Sequence, residues 1–336
     1  MNRSDRSFRI SSGFSVRSVF FVVKGFIAVA ATAAAAQAPW PQQPVKIIVP
    51  YSPGGTVDFS ARQIGQKLGE QLGKPFVIEN KVGASGTIGD ATVAKAAPDG
   101  YTLLANDTSY AMLPALFKSL PWDHDKDLVP ITTIITTPVV LVVPAASPFR
   151  NARELVEYAR KNPGKLNFGS GGVGSSTHLN AELFRKEAKI EIAHIPYKGA
   201  GEAMTGIISA QVDLLITASP TAMGQIAGGK IRALAMTGDK RSAAFPGVPT
   251  FAEMGLPGYT VTGWFGLAAP KGTPREVIAK IHAETVKALA DPAMRERIAA
   301  QGAEPGGMAP EAYAKFVRDE TVRWSELAKA AGVKPE

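Results

Sequence analysis

The sequence predicts an α/β fold with mostly parallel sheets, and three observations predict it. Short β-rich runs alternate with helical patterns beyond residue 44. Three strand ends run into Gly-rich loops that open helices. The length of 336 residues exceeds one typical domain of ~100–200, which gives one large domain or two lobes.

Residues 45–49, Val-Lys-Ile-Ile-Val, form the first strand. Val57, Ala61, Ile64, Leu68 and Leu72 then recur at helical spacing, and Gly73-Lys74-Pro75 stops that helix. Residues 76–79 are the next strand. A helix over 87–97 ends at the turn Pro98-Asp99-Gly100, and 101–105 is a third strand. Later strands are expected at 139–143, 166–168, 212–217 and 231–236, and later helices at 152–161, 177–186, 275–289 and 310–330. No repeat of fixed period occurs.

Composition narrows the function classes. Apolar residues make up 45% and charged residues 20%, close to the soluble globular average, which excludes disorder and a multispanning membrane protein. The absence of Cys removes disulfides, thiolate metal sites, Cys nucleophiles and lipid attachment through Cys. The net charge is +8, but Arg3, Arg6, Arg9, Arg17 and Lys24 against Asp5 concentrate part of it in residues 1–36. The rest has no basic block interleaved with aromatics, so nucleic-acid binding is not expected.

Residues 1–36 read as an export signal: a basic, Ser-rich stretch to Lys24, an apolar run over 25–33, and small residues at Ala34-Ala35-Ala36. Cleavage after Ala36 would leave an unlipidated protein free in the periplasm. The competing reading is a membrane anchor over 19–36, which Lys24 interrupts.

The three Gly-rich junctions carry the chemistry. They are Pro50-Tyr51-Ser52-Pro53-Gly54-Gly55-Thr56-Val57-Asp58, Gly83-Ala84-Ser85-Gly86-Thr87-Ile88-Gly89 and Gly169-Ser170-Gly171-Gly172-Val173-Gly174-Ser175-Ser176-Thr177-His178. The first N–H groups of a helix lack intrahelical partners and sit at the positive end of its dipole, so such a junction accepts an anion. Glycine admits close approach and Ser or Thr adds donors. The plainer reading is ordinary capping. Asp58 either caps the first helix or meets a hydroxyl or amino group of a ligand.

Other chemistries compete for the same residues. Gly169-x-Gly171-x-x-Gly174 fits a dinucleotide fingerprint, with Glu191 as its acidic partner, but it lies mid-chain. No Walker-type motif is present. Ser175 or Ser176 with His178 would make an exported serine hydrolase, although the closing Gly of a nucleophile elbow is missing. No two His share metal-ligand spacing. No cofactor and no metal are expected.

Tyr51-Ser52-Pro53-Gly54-Gly55-Thr56-Val57-Asp58, Asn80-Lys81-Val82-Gly83-Ala84-Ser85-Gly86 and Pro98-Asp99-Gly100-Tyr101-Thr102-Leu103-Leu104 together resemble the substrate-binding receptors of tripartite tricarboxylate transporters, the Bug family. Asn162-Pro163-Gly164-Lys165-Leu166-Asn167-Phe168, Ile195-Pro196-Tyr197-Lys198-Gly199, Val248-Pro249-Thr250-Phe251 and Trp264-Phe265-Gly266-Leu267 continue the likeness in order. It implies a two-lobed type II periplasmic binding protein fold with the ligand in the interlobe cleft. Lobe 1 would hold residues 37–135 and 240–336, and lobe 2 residues 136–239.

The resemblance implies a monomeric receptor that takes a small carboxylate (a di- or tricarboxylate, or an aromatic acid) by hinge closure and hands it to a two-component integral membrane permease. A ligand-sensing role is the other use of such lobes. Carried over by motif, lobe 1 would contribute Gly54, Gly55, Thr56, Ser85, Gly86 and Thr87, with Tyr51, Pro53, Asp58 and Ser109 beside them. Lobe 2 would contribute Ser170, Gly174, Ser175, Ser176, Thr177 and His178, with Tyr197 and Asp213 near the rim or floor. Tyr51, Phe168, Tyr197 and Trp264 are the aromatics expected against the ligand's apolar body. Ser85 and Ala210 stand where the family usually has Gly.

Overall fold

The computed structural model describes residues 39–330 and Pro335. The expected export signal at 1–36 lies outside them. Strand β1 (Val45–Val49) leads to helix α1 (Thr56–Leu72), whose Val57, Ala61, Ile64 and Leu68 are buried at helical spacing. Gly73 ends it in the left-handed conformation, φ 68°, with its N–H on Gly69 O. Then follow β2 (Phe76–Asn80), α2 (Thr87–Ala94), β3 (Thr102–Asp107) and α3 (Thr108–Leu116). Strand β4 (Leu128–Pro144) is long, and after it come α4 (Ala152–Lys161), β5 (Asn167–Ser170), α5 (Ser176–Ala188), β6 (Ala193–Pro196) and α6 (Ala200–Ile208). Next are β7 (Leu214–Ala218), α7 (Ser219–Ala227) and β8 (Ile231–Met236). The chain closes with β9 (Thr262–Pro270), α8 (Arg275–Ala290), α9 (Pro292–Ala300), β10 (Glu304–Pro305) and α10 (Pro310–Ala330).

The strands run β2-β1-β3-β9-β4-β7-β5-β6, with β8 and β10 also on β4. Pairing is parallel where β1 meets β2 and β3, and where β5 meets β6 and β7. The centre differs from the mostly parallel expectation. There β9 joins β3 and β4 antiparallel, and β4 joins β7 and β8 antiparallel.

One strand ties the two halves together. Residues 128–138 of β4 pair with β9, whereas Val139–Val142 pair with β7. The helices cover both faces: Ile47, Leu103, Ile64 and Ile281 share one core cluster, and Val140, Met204, Ile207 and Met236 share another. The segment between β8 and β9 packs on the second half. Phe251 and Tyr259 meet edge-to-face, Tyr259 meets Phe184 of α5 the same way and Phe251 meets it tilted, and Tyr259 Oη donates to Asn180 O at 2.9 Å.

Candidate functional site

Strand ends aim four helices at one cavity. The N-termini of α1, α3, α5 and α7 line it through Gly55 and Thr56, Asp107 to Ser109, Ser175 to Thr177, and Ala218 with Thr221. Ala200, at the start of α6, lines it too. The cavity encloses about 590 Å³ of empty space, part of it open to solvent. Each helix start concentrates positive dipole charge and N–H donors, so their convergence builds an anion-attracting field from backbone alone. Local chemistry makes these starts. Ser175 Oγ caps α5 by accepting His178 N–H at 3.3 Å, and Gly174 precedes it at φ 85°. A Cβ at Gly174 would also strike Leu116 Cδ1 at 2.8 Å.

The halves are bonded to each other across this cavity. Thr56 of the first half offers its N–H to Thr221 Oγ1 at 3.0 Å, and the two hydroxyls lie 2.7 Å apart. Ser176 N–H of the second half donates to Ser109 Oγ at 2.8 Å, and Ser176 Oγ donates to Asp107 Oδ2 at 3.3 Å. Ser52 N–H donates to Lys198 O at 3.3 Å, and Ser85 Oγ donates to Val173 O.

No Lys or Arg lines the cavity, but two carboxyls do, Asp58 and Asp107. Burial pushes Asp58 up. Hydrogen bonds from Arg62, Asn80 and the Gly54 N–H outweigh it and hold the carboxyl below its usual range. Asp107 is different. Burial raises it to about 7, against the pull of Ser109, Ser176 and Tyr51. Three buried side-chain atoms in the wall, Ser52 Oγ, Thr217 Oγ1 and Asn180 Oδ1, have no hydrogen-bond partner. Unpaired polar atoms at such depth cost free energy, and a bound guest would satisfy them.

Of the residues expected at a site, Tyr51, Gly55, Thr56, Asp58, Ser109, Ser175, Ser176 and Thr177 line this cavity. Ser85, Gly86 and Tyr197 line a neighbouring one that shares Tyr51 and Gly171 with it. The others lie in the scaffold around the two. Gly54 N–H donates to Asp58 Oδ2 at 3.2 Å, and a Cβ at Gly201 would meet Pro53 O, so the Pro53-Gly54 turn supports α1 and abuts α6. Asp58 therefore holds its own helix entry, since Arg62 and Asn80 take its oxygens. Thr87 Oγ1 donates to Ala84 O. Ser170 Oγ bonds Gly172 and, at 2.5 Å, His194 Nε2. Asp213 clasps Asn167, accepting its N–H at 2.8 Å while donating its own N–H to Asn167 Oδ1. Phe168 and Trp264 are buried core side chains and do not wall the cavity.

His178 also faces away from the serines. Its Nδ1 accepts Gly174 N–H at 3.0 Å, and its ring stacks on His194 at 4.1 Å. Ser175 Oγ meanwhile donates to Gly172 O at 2.8 Å, and Ser176 Oγ turns to Asp107. A Ser–His relay needs the ring on the hydroxyl, and neither serine has it. Burial lowers both His178 and His194 to about 4. Among the described residues no group of His, Asp and Glu is placed to hold a metal ion.

Sequence reasoning missed Asp107, Thr108, Thr217, Ala218, Thr221 and Asn180 as cavity residues. Asn106-Asp107-Thr108-Ser109 after an apolar strand, and Ser219-Pro220 after another, are helix-start signals without glycine.

Residues 60–333 match the family described as tripartite tricarboxylate transporter family receptor. The chain belongs to this family. Its relatives include BugT of Bordetella pertussis, 37% identical over 93% of this chain and 97% of that one. Two solved structures of the same build are an R. palustris protein with adipate and MatC from Rhodopseudomonas palustris with bound malate. The first has TM-score 0.85 and 34% identity, covering 88% of this chain and 100% of that one. The second has TM-score 0.82 and 33% identity, covering 85% and 99%. Family members are periplasmic solute-binding receptors, and this chain has their fold. Among the described residues no helix is long and apolar enough to cross a membrane.

Proposed function

We propose that this receptor captures a small carboxylate in the cavity where α1, α3, α5 and α7 begin, closing its two halves over it, and delivers it to a two-component membrane permease without chemical turnover. The observation that carries the reading is the convergence of helix N-termini on a cavity without Lys or Arg. Withdrawing a carboxylate from water costs several kcal/mol, so neutral donors must meet it from several directions at once. Donors on both halves do so only when the halves meet, which supplies the differential affinity that closure requires. Adipate and malate in the two R. palustris structures support the ligand class.

The moving halves would be those of the two strand groups, residues 39–138 with 262–330 and residues 139–261. The return crossing is drawn at β9 because Phe251 and Tyr259 pack on Phe184. The export signal, removed after Ala36, would place the receptor free in the periplasm.

A thermal-shift screen of carboxylic acids, sugars and amines tests the reading. At least one acid should raise the melting temperature with a concentration dependence that follows mass action. Stabilisation by sugars or amines alone would overturn it.

A further inference from the structure

The cavity holds one carboxyl that nothing in its wall neutralises. Arg62 grips both oxygens of Asp58 at 2.9 Å. The groups that bond Asp107 are instead neutral: Ser109 Oγ at 3.1 Å and Ser176 Oγ at 3.3 Å, both on Oδ2, with the Ser109 N–H and the Tyr51 hydroxyl beside them. The ionisable groups that feel its charge are acids themselves: Tyr51, Asp90 and Tyr313. A relay fixes the direction of these bonds. Ser176 N–H donates to Ser109 Oγ, which donates in turn to Asp107, so the carboxyl stands as a terminal acceptor. A second acceptor in the same wall, Asn180 Oδ1, is buried and has no donor at all.

We propose that Asp107 sets the ligand class: it accepts a hydrogen bond from a hydroxyl or amino group of the guest, so that the receptor takes a hydroxy- or amino-carboxylic acid with a single carboxylate in preference to a dicarboxylate. The inference rests on the carboxylate reading above and sharpens it. One carboxylate satisfies the helix N-termini. A second ligand charge beside Asp107 would meet a like charge in a buried space without a cation, where repulsion is strong. A hydroxyl or amino group supplies Asn180 Oδ1 with the donor it lacks and Asp107 with a further one, and an acceptor-only group supplies neither.

Isothermal titration calorimetry at about pH 8.5, above the pH near 7 at which Asp107 gives up its proton, tests this. The ligands are matched sets of two to six carbons: each dicarboxylate, the ω-hydroxy acid and the ω-amino acid of the same length. At the best-fitting length the donor-bearing acid should bind about tenfold more tightly than the dicarboxylate. Asp107→Asn, checked for folding by its circular dichroism melt, should narrow the ratio by gaining affinity for the dicarboxylate. Equal or tighter dicarboxylate binding in the wild-type protein overturns the proposal without needing the variant, and so does an unchanged ratio in Asp107→Asn. In both cases an acid still binds, and the receptor reading stands. Binding by no acid of any kind removes both.

Discussion

Asp107 lies in surroundings that depart from what its type prefers, and the departure has a measurable sign. In the unfolded chain an Asp ionises near pH 4, while burial lets folded Asp107 keep its proton to about pH 7. Between those values the folded state binds the extra proton. Stability therefore falls as the pH rises from about 4 to about 7, by on the order of 4 kcal/mol once both states are ionised. Asp107→Asn removes this cost. The ligand-free variant should melt above the wild-type protein at pH 8, with the gap closing toward pH 4, as read by calorimetry. A gap that does not vary with pH would show that Asp107 titrates as an ordinary carboxyl. In the sequence, an Asp before Thr-Ser is locally indistinguishable from an ordinary helix cap. Its partners include a residue far along the chain, Ser176.

Helices decide the site, and α6 shows how closely two of them must approach. A Cβ on Gly201 would fall 2.1 Å from Pro53 O and 3.2 Å from Gly55 N, on the loop that opens α1. Within an isolated helix Ala is better than Gly by about 1 kcal/mol. Gly201→Ala should thus leave the melting temperature of the ligand-free protein unchanged or higher while weakening carboxylate binding at least ~tenfold, because the halves can no longer meet. Undiminished binding would show that the Pro53–Gly201 contact plays no part in closure. At this scale the sequence was partly legible. Three Gly-rich junctions stand out, and two of them, at α1 and α5, line the cavity where the helix N-termini converge. The starts of α3 and α7 do not stand out, since neither uses glycine. Strand β4 was seen only over 139–143, because Pro130 and Pro138 interrupt the β pattern, and the antiparallel partner β9, with Gly263, Gly266, Ala268 and Ala269, has weak strand propensity. The helix foreseen over 87–97 ends at Ala94.

Across the whole molecule, hydrogen bonds around the cavity join the two strand groups that β4 and the crossing before β9 connect, and the proposed closure would form them. Thr56 and Thr221 face each other across that divide with hydroxyls 2.7 Å apart, and the natural chain has no Cys. A Thr56→Cys, Thr221→Cys variant should form one disulfide under mild oxidation, because the sulfurs would replace oxygens only 2.7 Å apart. A bound carboxylate should speed its formation, and the oxidised protein should neither release nor take up ligand on the time scale of the reduced form. Thiol quantitation with and without ligand decides this. Formation at the same rate in both would mean that the cleft stays shut regardless of occupancy.

Local chemistry wrote much of this protein in advance. Apolar spacing and turn residues placed β1, α1, β2 and the later helices, and an ordered series of short loops was specific enough to place the chain among tripartite transporter receptors. Such features depend on neighbours within a few residues, and a linear string displays them. Which loop faces which guest does not. Thr221 reaching Thr56, Ser109 reaching Ser176 and Asp107 left without a cation are contacts between residues 67 to 165 positions apart. The sheet order and its antiparallel centre bring them together, and the free energy of burying them together belongs to the folded molecule.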